Sequence, residues 1–177
     1  MRAHTGVPGS LGWMASSGGA HRRLCFMLVA PDAPRDTVLY SLDLTHESGL
    51  TAEVATENQG MIRAAIDHVE KAEWECRSTF STSGSTGANL RSVFEWHQWR
   101  VNAYVTTSRV RLLLLHEGGP KADDAVKAFF QDVHELFIKV QLNPFFERWA
   151  RIRAPKFDER VRGLARKHLP ALYTPAS

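Results

Sequence analysis

Two runs, Leu24 to Val29 and Val110 to Leu115, carry bulky apolar residues at nearly successive positions rather than at alternate ones. Each is six residues long, the length of a strand and far short of the roughly 20 residues that cross a bilayer. Along an extended chain successive side chains point to opposite faces. A strand that is apolar on both faces has to be covered on both, as in the middle of a sheet with helices on either side. The chain is therefore expected to build a layered α+β (α/β) domain around these two central strands.

The covering helices are visible as a change of period. Between about Glu53 and Trp74, Met61, Ile62, Ala65, Ile66, Val69 and Ala72 recur at three- and four-residue spacing, while Arg63, Asp67, Glu70 and Lys71 share the other side. Gly60 inside this helix costs about 1 kcal/mol relative to Ala, so packing has to sustain it. From Ala122 to Gln141, Val126, Phe129, Phe130, Val133, Leu136, Phe137 and Val140 form one wide stripe, with Asp124, Lys127, Gln131 and Glu135 outside it. Asp123 and Asp124 suit the positive N-terminal end of that helix, and Asn143-Pro144 stops it. A last helix is expected from about Lys156 to His168, burying Phe157, Val161 and Leu164 and showing Arg160, Arg166 and Lys167 to solvent.

The remaining strands are read from local pattern. Pro31-Asp32-Ala33-Pro34 forces a turn, after which Val38 to Leu44 pairs back on the first run as a hairpin. Leu90 to Phe94 reads as a short strand. Trp99 to Thr106 alternates Val101, Ala103 and Val105 with Asn102 and Tyr104, and Thr107-Ser108 is a tight connection to the run at Val110. The expected order is β-β-α-β-β-β-α-α in a single domain over residues 21–170, followed by a tail at 171–177. Residues 1–20 are rich in Gly and Ser and contain no acid, and read as a disordered extension. Met14 is a candidate start of translation. The Ser-Gly-Thr stretch within 78–89 is expected to be a flexible insertion; it lacks the Lys that a phosphate-binding loop requires.

Chemistry is harder to find. No His-Glu-x-x-His or Cys-x-x-Cys spacing occurs, nor a Gly-x-Ser-x-Gly elbow or a dinucleotide Gly fingerprint. His116-Glu117 and His134-Glu135 are sequence neighbours whose side chains diverge, and His134 is expected to be solvated or capped. No catalytic, metal or cofactor site is assigned, so a binding protein is expected rather than an enzyme. Cys25 reads as a buried, inert thiol and Cys76 as more exposed; two cysteines do not make a disulfide framework.

Charge is unevenly distributed. Glu147 to Lys167 holds eight Lys or Arg against three acids, whereas Glu53 to Glu75 holds six acids against two bases. Such polarity favours oriented docking on charged partners or peripheral contact with an anionic membrane. Nucleic acid is not expected, because no recognition motif accompanies the cations. Among the aromatics, Phe145 is expected to close the core, while Trp96 and Trp149 are candidates for contact with a partner.

The succession Ala128-Phe129-Phe130-Gln131-Asp132-Val133-His134-Glu135-Leu136-Phe137-Ile138-Lys139, then Leu142-Asn143-Pro144-Phe145-Phe146, Phe157-Asp158-Glu159-Arg160-Val161 and Leu164-Ala165-Arg166-Lys167-His168-Leu169, resembles the C-terminal half of the sedlin family of transport protein particle (TRAPP) subunits. Tyr104-Val105-Thr106 leading into Arg111 to His116, and Ala64 to Glu70, resemble the same family. The likeness covers roughly Leu24 to Leu169. It implies a longin/SNARE-like fold, a five-stranded mixed antiparallel sheet with one helix on one face and two on the other. It also implies a non-catalytic adaptor or scaffold subunit of a vesicle-tethering and Rab guanine-nucleotide-exchange complex in endoplasmic-reticulum-to-Golgi transport.

The implied setting is the cytoplasm, peripheral at endoplasmic reticulum and cis-Golgi membranes, with a core subunit and larger complex-specific subunits as neighbours and a Rab GTPase reached only through the complex. A longin-type regulator or cargo adaptor outside TRAPP is the alternative, since one fold serves both. Carried onto this chain, the likeness makes Asp67 the leading partner contact, with Arg63, Glu70 and Lys71 on the same helix face; a merely solvated charged face is the competing reading. The chain departs from the family at Arg148-Trp149-Ala150-Arg151-Ile152-Arg153-Ala154-Pro155, where small polar residues are usual. Trp149 is a candidate contact there.

Overall fold

The computed structural model describes residues 23–31, 36–44, 52–75, 87–117 and 122–173. The extension at 1–20, Met14, Cys76 and the part of the insertion at 78–86 lie outside the described residues. The elements run β1 (Leu24–Ala30), β2 (Thr37–Asp43), α1 (Ala52–Glu75), β3 (Gly87–Trp96), β4 (Trp99–Thr106), β5 (Arg111–Glu117), α2 (Asp123–Gln141), α3 (Pro155–His168) and α4 (Pro170–Tyr173).

The five strands form one sheet in the order β2-β1-β5-β4-β3. All four pairings are antiparallel, so the sheet is not mixed as the family likeness implied. Strand β1 lies between β2 and β5, with Phe26 opposite Leu114 and Met27 opposite Leu113. Alternation then divides the side chains. Phe26, Leu28, Leu112 and Leu114 pack with Phe129, Phe130, Val133 and Phe137 of α2 and Phe157 and Val161 of α3. Met27, Val29, Leu113 and Leu115 pack with Ile62, Ala65 and Val69 of α1. The central strands are apolar at nearly every position because each face of the sheet has its own helical cover. Aromatic edges hold the α2–α3 side together: Phe26 meets Phe129 at 5.4 Å and Tyr40 meets Phe157 at 4.9 Å, both nearly perpendicular.

Four local features differ from the sequence expectation. Strand β3 is ten residues long and begins at Gly87, so the end of the expected insertion is sheet. Register shifts at Asn89/Arg91 and Ser92/Phe94, with Arg91 at φ 50°, break the alternation that would have shown its length. Gly87 is required there, because a Cβ would collide with the Tyr104 phenol. His134 is buried, with its Nδ1 3.4 Å from the Tyr104 hydroxyl; the apolar stripe of α2 is wide enough to include it. Phe145 is 92% exposed instead of closing the core. Asn143 accepts the Phe146 N–H at its carbonyl and the Phe145 N–H at its Oδ1, and this turn sends only Phe146 toward the core. Finally, α4 adds a short turn of helix within the expected tail.

Candidate partner-binding surface

Helix α1 is long, amphipathic and covered on one side only. Ile62, Ala65 and Val69 are fully buried against the sheet, which turns Arg63, Asp67, Glu70 and Lys71 outward, all four exposed. The spacings of three and four residues place them along one outer stripe. Arg63, Asp67 and Lys71 make no ion pair among the described residues, so their charges face solvent.

Trp74, four residues after Glu70 and three after Lys71, continues this stripe and is 72% exposed. Sequence reasoning missed it; the signal was its seven-residue spacing from Asp67. Exposed Trp side chains are enriched at interface hot spots.

The stripe is fixed to the sheet by Arg111. This guanidinium is 5% exposed and holds Asp36 at 2.6 Å, Glu73 at 3.0 Å and Glu70 at 3.2 Å. Burial works against its charge, but Glu73, Asp36 and Glu70 outweigh it and raise its pKa. Asp36, by contrast, is raised. Burial is the main cause, and the negative charges of Glu70 and Asp67 add to it while Arg111 offsets part. One cation therefore serves three carboxylates and sets the position of α1 over β5 and the start of β2. Glu70 has a structural role as well as a place on the outer stripe.

Trp149 is not part of this surface. It is half-buried against the core on the α2–α3 side of the sheet, with φ 66°, and Arg148 lies 5.0 Å over its ring. Trp96 is exposed at the β3–β4 hairpin, edge-on to His97 at 5.0 Å.

A polar layer lies beneath the start of α2. Asn102 donates to Asp123 at 3.0 Å, and Arg100 lies 3.9 Å from the same carboxylate. His116 beside them is completely buried, and neither ring nitrogen has a partner among the described residues. Its pKa is lowered, chiefly by burial. The described residues contain no group of three or more His, Cys, Asp or Glu placed to hold a metal ion, and no described helix is long and apolar enough to cross a membrane. Cys25 is buried under α1, and burial pushes its thiol far above the ordinary range.

The chain matches the family model described as Sedlin over residues 33–167. It is 32% identical over 112 residues to the transport protein particle 20 kDa subunit of Schizosaccharomyces pombe, covering 63% of this chain and 74% of that one. It is 29% identical over 163 residues to the trafficking protein particle complex subunit 20 of Saccharomyces cerevisiae, covering 76% and 93%. Over 80 residues it is 39% identical to the probable trafficking protein particle complex subunit 2 of Caenorhabditis elegans, covering 45% and 55%.

Proposed function

The chain belongs to the sedlin family, and we propose that it is a non-catalytic adaptor subunit of a TRAPP-type vesicle-tethering complex, bound to a neighbouring subunit through the outer face of α1. Relatives named as particle subunits align with most of their length, and this carries the subunit reading. The adaptor role is supported by an exposed stripe of charge around Trp74 set over a filled core. Asp67 is its centre, with Arg63, Glu70 and Lys71 around it and Trp74 at its end. The exchange activity on a Rab GTPase belongs to the complex, and this chain contributes by joining subunits. Its place is at endoplasmic reticulum and cis-Golgi membranes. Exposed cations of α3 such as Arg160 favour peripheral contact with anionic lipid there.

Size fractionation of a cell extract, with detection of the chain in each fraction, tests the subunit reading. The chain is expected to elute with an assembly many times its own 19.9 kDa. Elution at its own mass alone contradicts the proposal.

A further inference from the structure

The segment after α2 presents a second surface, on the face of the sheet opposite α1. Leu142, whose N–H donates to the Ile138 carbonyl at 2.9 Å, caps the C-terminal end of α2 and is 74% exposed. Ile138 is exposed one turn earlier, and Phe145 follows three residues later as the most exposed large apolar side chain among the described residues. These are not loose residues on a loop. The Asn143 side chain accepts the Phe145 N–H at 3.1 Å and its carbonyl accepts the Phe146 N–H at 2.9 Å. Pro144 fixes one φ between them. Phe146 packs on the core on one side of the turn, and downstream Ile152 is buried, donating its N–H to the Leu39 carbonyl at 2.8 Å. The backbone that carries Phe145 is thus tied down on both sides of the turn, and its ring is left exposed.

The chain on either side of the turn is cationic. Lys139, Arg148, Arg151, Arg153 and Lys156 are all exposed and make no ion pair among the described residues, and Glu147 is the one acid between Ile138 and Phe157. A partner for this surface therefore needs an apolar recess and negative charge around it. A bilayer and an acidic protein both offer that combination. The fixed turn decides between them. A fluid lipid interface gains little from a backbone held in one conformation, whereas a shaped pocket does, because less ordering entropy remains to be lost on docking.

We propose that Phe145, supported by Leu142, is an anchor that enters an apolar pocket with an acidic rim on a neighbouring protein subunit, the arginines after it meeting the rim. The proposal rests on the subunit reading above. It adds a second contact on the opposite side of the sheet from Asp67, so that the chain bridges two neighbours.

The test uses the particle isolated through the tagged full-length chain, carrying either Phe145→Ala or a photoreactive phenylalanine at position 145. Since Phe145 supports nothing in the fold, the alanine variant folds normally. The expected result is a cross-link from position 145 to a single subunit, at an apolar pocket flanked by Asp or Glu. In Phe145→Ala the affinity for that subunit falls by about 30-fold or more, the scale of a lost aromatic anchor, while subunits held through α1 remain. Asn143→Ala, which frees the turn but keeps the ring, gives a smaller loss. Unchanged composition in Phe145→Ala overturns the proposal. So does loss of binding to phosphatidylserine vesicles with subunit composition intact, which assigns the tip to lipid. A wild-type chain that recovers no particle subunits removes the subunit reading itself, and this inference with it.

Discussion

Arg111 Nη1 lies 2.6 Å from Asp36 Oδ2, and the guanidinium is buried between a helix and the sheet. Glu73 at 3.0 Å completes the close contacts, and Glu70 at 3.2 Å extends the cluster to the surface of α1. Removing the cation leaves Asp36 and Glu73 with poorly solvated negative charge. Arg111→Met is expected to destabilise the fold by about 3 kcal/mol, seen as a lower midpoint in urea unfolding. Glu70→Gln, at a carboxylate more than half exposed, is expected to change stability by less than about 0.5 kcal/mol.

Charge reversal on the outer stripe separates assembly from folding. Asp67 is exposed and pairs with no cation among the described residues, so Asp67→Lys is expected to stay within about 0.5 kcal/mol of wild type. The same variant is expected to weaken binding to the α1-side subunit by about tenfold or more, the range of an interface residue of consequence. Thermal unfolding and recovery of the particle on the tagged variant check the two halves.

Acid sensitivity follows from His116. Its folded pKa lies below the ordinary value of 6.5, chiefly through burial, so the unfolded chain binds the proton more tightly. Stability is then full above about pH 6.5 and falls as the pH drops below it toward the folded value. His134, also buried and also lowered, contributes in the same direction. His116→Leu is expected to reduce the slope of unfolding free energy between about pH 6.5 and 5 without abolishing it, measured by urea titrations at each pH.

Reactivity of Cys25 reports the integrity of the α1 side. Burial raises its pKa and keeps the thiol protonated, and only a thiolate reacts readily. In a Cys76→Ser background the native chain is expected to resist alkylation for hours and to react in urea. Arg111→Met is expected to shorten that protection, because it loosens α1 from the sheet.

Much of this architecture is legible in residue order because its causes are local. Unbroken apolarity in β1 and much of β5 marks burial on both faces, and the Val126 to Val140 stripe marks the covering helix. What escapes the sequence depends on contacts that the order of residues does not display, some with partners far along the chain and some within a single turn. Arg111 reads as one charge in an apolar strand until Asp36, Glu70 and Glu73 are placed around it. Phe145 and Phe146 are chemically identical neighbours, and only the turn built on Asn143 shows that Phe146 and not Phe145 packs on the core. On α1 the stripe of Arg63, Asp67, Glu70 and Lys71 is plain from spacing, and the same spacing runs on to Trp74, but a helical period alone does not say how far along the helix the outward face stays uncovered. Trp149 is set apart by a backbone at φ 66° and a place against the other side of the core.

Affinity purification of the tagged chain from its own cells, with mass spectrometry of the co-purifying proteins, tests the central claim most directly. The account predicts TRAPP subunits in amounts near equal to the chain itself. Recovery of coat or SNARE proteins without TRAPP subunits would contradict it.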